Sequence, residues 1–208
     1  MKLKFCGLTR MQDILAANAA RPDYVGFVFA DSRRRVTEEQ AARLRAQLAP
    51  GIPAVGVFVN DEPERIAALV NAGVIDLVQL HGGENRAYLD RLRGMTGAQV
   101  LYAVRVGAYA DIERVKDYPV EFLLLDASIK GVCGGSGHTF DWSLIGAVEK
   151  PYFLAGGLNE SNLPLALRTG AYALDLSSGI ETDSVKDETK MRRVAALVRG
   201  EQPCIRSR

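Results

Sequence analysis

Phe153-Leu154-Ala155-Gly156-Gly157 and Leu174-Asp175-Leu176-Ser177-Ser178-Gly179 are two short apolar runs, each breaking abruptly into small, turn-forming residues. Runs this short, mostly apolar and bounded by glycine, read as buried strands rather than helices. Segments of the same kind recur along the chain, near Lys2–Cys6, Tyr24–Phe29, Ala54–Val59, Leu77–Leu80, Val100–Val104, Phe122–Asp126, Tyr152–Ala155 and Ala173–Leu176. Their starts lie 22, 30, 23, 23, 22, 30 and 21 residues apart, by subtraction of those positions. A strand, a short helix and two loops need about that length.

The gaps read as helices. Thr37 with Gln40 forms a capping box opening a helix over Glu38–Gln47. Pro63 suits the first turn of a helix running to about Asn71, with Gly73 as its stop signal. Ser161 is expected to cap Asn162–Arg168, which ends at Gly170. The last helix is expected over about Val185–Arg199, with Val194, Leu197 and Val198 on its inner face and Gly200 at its end. Strands apolar on both faces and separated by helices imply a parallel sheet covered by helices. An open doubly wound sheet usually has five or six strands and a glycine-rich first turn. Eight units in 208 residues fit a single-domain (β/α)8 TIM barrel better, here expected to span residues 1–200 and to leave a tail of 201–208.

Composition narrows the partners. With 48% apolar and 25% charged residues and a net charge of +1, the chain has no global field to attract nucleic acid or an acidic membrane. No apolar run approaches a membrane span. The opening Met1-Lys2-Leu3-Lys4-Phe5-Cys6 enters a strand directly, without the charged leader and apolar region of a secretory signal. Cys6, Cys133 and Cys204 are odd in number and lack CxxC spacing, so neither a disulfide framework nor a zinc site is expected. Free thiols suit a reducing, cytoplasmic setting.

In a barrel of this kind the chemistry sits where strands end and βα loops begin. The glycines Gly156 and Gly157 after strand 7, with Ser177, Ser178 and Gly179 after strand 8, match the usual phosphate site of the fold. Either motif alone would read as an ordinary turn; their succession points to phosphate. Cys6 ends strand 1 and Asp126 ends strand 6, so a thiol and a carboxyl can flank a substrate across the mouth. Each has a plainer reading: Cys6 as a small buried residue, Asp126 as a cap or a salt-bridge partner. Acting as base and acid at neutral pH would require cations or N–H groups near the thiol and burial of the carboxyl. His81 after strand 4 is open to ligand contact or to a structural hydrogen bond. Arg34, within Arg33-Arg34-Arg35, can hold an anion or belong to a solvated face. The glycine-rich loop 127–139 has the length of a lid. His81 and His138 are the only histidines and no carboxylate stands at ligand spacing, so no metal is expected. No P-loop or dinucleotide fingerprint is present. No lysine is counted within or at the end of a strand, which argues against Schiff-base chemistry.

Ten motifs in order carry a family resemblance over nearly the whole chain. They include Lys4-Phe5-Cys6-Gly7-Leu8-Thr9-Arg10, Gly26-Phe27-Val28-Phe29, Ser32-Arg33-Arg34-Arg35-Val36, Gly56-Val57-Phe58-Val59-Asn60, Val78-Gln79-Leu80-His81-Gly82 and Leu124-Leu125-Asp126. The series continues through Gly134-Gly135-Ser136-Gly137-His138-Thr139-Phe140-Asp141-Trp142, Leu154-Ala155-Gly156-Gly157-Leu158, Leu174 to Glu181, and Lys186-Asp187 with Lys190. The chain resembles the phosphoribosylanthranilate isomerases of tryptophan biosynthesis. The resemblance implies a cofactor-free Amadori rearrangement of N-(5-phosphoribosyl)anthranilate, with Asp126 as general acid and Cys6 as general base. It further implies Arg34 at the anthranilate carboxylate, His81 and Asp175 lining the site, and Gly156, Gly157, Ser177 and Ser178 around the phosphate. The implied partner is a small phosphosugar bound by a monomer or homodimer. Arg33 stands where the family often has Pro, Ser136 where Thr is common, and Ser184-Val185 where Pro-Gly is frequent; Cys133 in the loop is unusual. Two rival readings are the histidine-pathway isomerase, which has Asp in place of Cys6, and indole-glycerol-phosphate synthase, which needs a Lys/Glu set. A third is a non-catalytic phosphosugar-binding barrel.

Overall fold

A computed structural model describes residues 1–127, 142–146 and 148–201. Eight parallel strands close into one barrel in sequence order, β1 beside β2 and on to β8, which returns to β1. They are β1 (Lys2–Cys6), β2 (Tyr24–Val28), β3 (Ala54–Phe58), β4 (Leu77–Leu80), β5 (Gln99–Val106), β6 (Phe122–Ala127), β7 (Tyr152–Leu154) and β8 (Ala173–Leu176). The predicted bounds hold for β1, β4 and β8; β2, β3 and β7 stop one residue earlier, while β5 and β6 run on to Val106 and Ala127. The proposed lid at 127–139 lies outside the described residues beyond Ala127, as do Cys133, His138 and the tail after Glu201.

The helices form the outer layer: α1 (Met11–Ala20), α2 (Glu38–Ala46), α3 (Pro63–Asn71), α4 (Arg86–Arg93), α5 (Tyr109–Glu113), α6 (Leu163–Ala166) and α7 (Glu188–Arg199). The Thr37–Gln40 capping box opens α2 and Pro63 begins α3, as predicted. Two expectations fail. Helix α6 is shorter than predicted and Asn162, not Ser161, stands at its N-cap; the Ser161 hydroxyl is spent on the Asn159 side chain at 2.5 Å. The last helix starts at Glu188, not Val185, because Asp183 and Ser184 adopt positive φ of 50° and 67° and turn the chain into a hairpin. That hairpin pairs β9 (Glu181–Thr182) with β10 (Val185–Lys186), and Asp187 caps α7 by accepting from the Thr189 and Lys190 amides. Val194 is buried as predicted; Leu197 and Val198 are half-buried, and Met191 and Ala195 complete the inner face.

Strand residues alternate between two cores. One phase, with Phe5, Phe27, Phe58 and Leu80, packs outward against the helices. The other, with Val55, Leu77, Leu101, Leu124, Phe153 and Ala173, fills the interior. At the N-terminal end Tyr24, Phe122, Phe153 and Tyr172 meet ring to ring, with centroids 5.1–5.6 Å apart, and the Tyr24 and Tyr172 hydroxyls touch at 3.1 Å. This aromatic floor seals the barrel below. No helix among the described residues is long and apolar enough to cross a membrane.

Candidate active site

Moving up the interior from the floor, the inward phase turns polar. Lys4 on β1, Gln79 on β4 and Asp175 on β8 are almost fully buried among apolar strands. Lys4 Nζ donates to Asp175 Oδ2 and to Gln79 Oε1, both at 2.9 Å. The expectation that no strand holds a lysine is therefore wrong: Lys4 is the centre of β1, register partner of Asp175. Burial opposes its charge, but Asp175 and Cys6 outweigh burial and hold its pKa above the ordinary lysine value. A buried ion pair contributes little net stability, yet breaking one side strands an uncompensated charge. Lys4→Met is expected to destabilise the fold by about 3–5 kcal/mol, and Lys4→Met/Asp175→Asn to recover most of that loss. Urea unfolding of the two variants checks this. A single variant as stable as wild type would show that the pair does not hold the barrel interior together.

Two residues further along each strand, the same phase delivers Cys6 on β1, His81 just past β4 and Asp126 near the end of β6 to one cavity of about 230 Å³. Gln79, Arg34, Asp175, Gly156, Gly157, Ser177 and Ser178 also line it, so every candidate site residue predicted from sequence meets here. Asp126 and Cys6 are both 8% exposed. Burial pushes the Cys6 thiol above its ordinary pKa; Lys4 and Lys186 pull it down and Asp175 adds to the rise. His81 Nε2 stands 3.4 Å from Asp126 Oδ2, and its Nδ1 is 3.2 Å from Gln79 Nε2. Arg105, pairing in register with Asp126, also faces the cavity.

The loops after β7 and β8, which lie between Asp126 on β6 and Cys6 on β1 around the ring, form the wall between them. Gly156 and Gly157 have φ of +84° and +66°, a left-handed pair that side chains would strain. Asn159 and Asn162 each donate a side-chain amide to the Gly157 carbonyl at 3.0 Å, which pins the turn. A Cβ on Gly179 would stand 1.8 Å from the Leu158 carbonyl oxygen, so only glycine lets the two loops pack this closely. A short 3-10 turn, Ser178–Ile180, follows β8. The Ser177 hydroxyl donates to the Cys6 carbonyl at 3.1 Å, so its proton is already committed to β1.

Arg34 reaches the cavity edge from the loop after β2. Its Nε and Nη2 donate to Glu181 Oε1 and Oε2 at 2.7 and 3.0 Å, leaving Nη1 for a ligand. Arg33 Nη2 and Lys186 Nζ, each at 2.7 Å, share the same carboxylate. Burial alone would raise the Glu181 pKa, but Arg34 and Lys186 together hold it below the usual value. Neither Glu181 nor Lys186 was assigned a role from sequence. Among the described residues no three His, Cys, Asp or Glu side chains are grouped to hold a metal.

A closed parallel barrel whose ionisable groups gather at the C-terminal mouth, beside a tight double-glycine wall, defines a (β/α)8-barrel enzyme. A profile of the family described as N-(5'-phosphoribosyl)anthranilate (PRA) isomerase matches residues 3–196. The N-(5'-phosphoribosyl)anthranilate isomerase of Endomicrobium trichonymphae is 43% identical over 199 residues, 95% of this chain and 98% of that one. The crystal structure of the enzyme from Thermotoga maritima superposes with a TM-score of 0.87 at 35% identity, covering 96% of this chain and 99% of the other. Another phosphoribosyl anthranilate isomerase was solved in complex with reduced 1-(o-carboxyphenylamino)-1-deoxyribulose 5-phosphate. It has a TM-score of 0.83 and 33% identity, again over 96% of this chain and 99% of its own. The chain belongs to the N-(5'-phosphoribosyl)anthranilate isomerase family, the isomerases of tryptophan biosynthesis.

Proposed function

We propose that the chain converts N-(5-phosphoribosyl)anthranilate to 1-(o-carboxyphenylamino)-1-deoxyribulose 5-phosphate with Asp126 as acid and Cys6 as base. The observation that carries this reading is the single cavity shared by Cys6, Asp126 and the Gly156–Gly157 and Ser177–Ser178 turns. The phosphate rests on the backbone N–H groups of those two turns and the Ser178 hydroxyl. Arg34 meets the anthranilate carboxylate through the edge that Glu181 leaves open. Asp126 gives its proton to the ring oxygen as the C1′–O bond breaks, forming the Schiff base. The Cys6 thiolate then takes the C2′ proton, leaving an enolamine. Loss of the enol O–H proton and protonation of C1′ produce the ketone, so the reaction is proton-neutral. His81 and Asp175 line the pocket beside the sugar.

The same reading takes the enzyme as cytoplasmic, a monomer or homodimer, needing no cofactor or metal and having no nucleic-acid or membrane partner. Its barrel domain is read as residues 1–200, with Gly200 ending α7 and 201–208 as a tail.

Anthranilate fluorescence decay with freshly generated phosphoribosylanthranilate, in buffer containing EDTA, tests the activity. Rapid decay is expected, with little turnover of the histidine-pathway aminoaldose under the same conditions. No decay above background would sink the proposal in favour of a non-catalytic phosphosugar-binding barrel.

A further inference from the structure

The contacts that run from Lys4 through Gln79 and His81 to Asp126 leave one arrangement of protons. Lys4 is an ammonium and only donates, so the atom of Gln79 facing it at 2.9 Å must be the amide oxygen. The other end of that amide is then an NH₂ group, which also only donates, and it points at His81 Nδ1 across 3.2 Å. Nδ1 must therefore be bare, and the ring proton sits on Nε2, the nitrogen 3.4 Å from Asp126 Oδ2. His81 Nε2 and Asp126 Oδ2 stand in ion-pair range without a formed hydrogen bond, a contact of the kind that tightens when a ligand closes on the site.

From this chain of contacts we infer that Gln79 is a positioning residue: its amide, oriented by Lys4, locks His81 in the Nε2–H tautomer that holds the Asp126 carboxyl in place for protonation of the ring oxygen. Burial makes the specification firm. Gln79 is 2% exposed and Lys4 fully buried, so solvent cannot substitute for a lost partner. The consequence for catalysis rests on Asp126 being the acid, as proposed above; the tautomer itself does not.

The test is ¹⁵N NMR of the histidine ring, with the His81 signals assigned by their loss in His81→Asn, alongside steady-state kinetics. Wild type is expected to show a protonated Nε2 and a bare Nδ1. Gln79→Glu keeps an acceptor for Lys4 but turns the other end into an acceptor, so Nδ1 is expected to become protonated. Its kcat should fall about 10–100-fold, in the range seen when a group holding a catalytic side chain is lost, with KM nearly unchanged. Gln79→Met, nearly isosteric and without a polar end, should show both tautomers and a smaller loss; it keeps the question open to decision if the carboxylate variant folds poorly. A bare Nε2 in wild type, or an unchanged His81 tautomer in both variants, would overturn the inference. An active Asp126→Asn enzyme with the Nε2–H tautomer intact would instead remove Asp126 from the acid role and leave the tautomer assignment standing.

Discussion

Cys6→Ala is expected to turn over substrate about 10²–10⁴-fold more slowly than wild type, the usual worth of a positioned general base. Removing a small side chain 8% exposed at the cavity wall should leave the barrel folded, and a product analogue should still bind through the phosphate and carboxylate ends. The pH profile adds a second signature. Burial holds the proton on the thiol, and the negative charge of Asp175 reinforces it, while Lys4 and Lys186 relieve it only in part. In the proposed mechanism the thiolate accepts the C2′ proton, and its share grows as pH rises, by about tenfold per unit below the thiol's own pKa. Wild-type kcat/KM is expected to climb from neutral into alkaline pH, and the residual rate of Cys6→Ala is expected to lack that climb. Near-normal turnover of Cys6→Ala would move the base to another residue.

Asp126→Asn should be equally damaging, about 10²–10⁴-fold, for a different reason. The amide keeps the shape of the carboxyl and offers an oxygen to the His81 Nε2–H, so folding should hardly change. What it loses is a transferable proton, and the affected step is ring opening, before any C–H bond breaks. With substrate deuterated at C2′, wild type should show a primary isotope effect if proton abstraction limits the rate. In Asp126→Asn the effect should shrink towards unity, because ring opening becomes the slow step. An isotope effect that persists with activity intact would relocate the acid.

The barrel could be read from sequence because its signal is local and repeated. Runs such as Val78-Gln79-Leu80 and Phe153-Leu154 are too short and too apolar for anything but buried strands, and glycines mark their ends. The candidate site could be read for a related reason: on this fold, strand ends converge, so Cys6, Asp126 and the glycine and serine turns were identifiable by position alone. The interior polar layer is legible in the same way. Leu3-Lys4-Phe5, Val78-Gln79-Leu80 and Leu174-Asp175-Leu176 each carry one polar residue between two apolar ones in a buried strand, which points that residue inward. The start of α7 at Glu188 depends on the Asp187 cap and on the positive φ of Asp183 and Ser184, which a helical periodicity over Val185–Arg199 does not report. The clustering of Glu181 with Arg33, Arg34 and Lys186 had no sequence signal at all. It joins segments some 147 residues apart, and no periodicity reports such a contact.

The closure of β8 onto β1 gives the site a divided ownership. Cys6, Lys4, Gln79, His81 and Arg34 belong to the first four strands and their loops. Asp126, the double glycine, Asp175, Ser177 and Glu181 belong to the last four. Four polar contacts cross between these groups: Lys4 to Asp175, Arg34 to Glu181, His81 to Asp126, and Ser177 to the Cys6 carbonyl. Each half-barrel thus holds one member of the proposed acid/base pair, and the buried Lys4–Asp175 ion pair takes one charge from each half. Under the proposed mechanism the two halves complement each other, and the pairing of β8 with β1 is what brings them together.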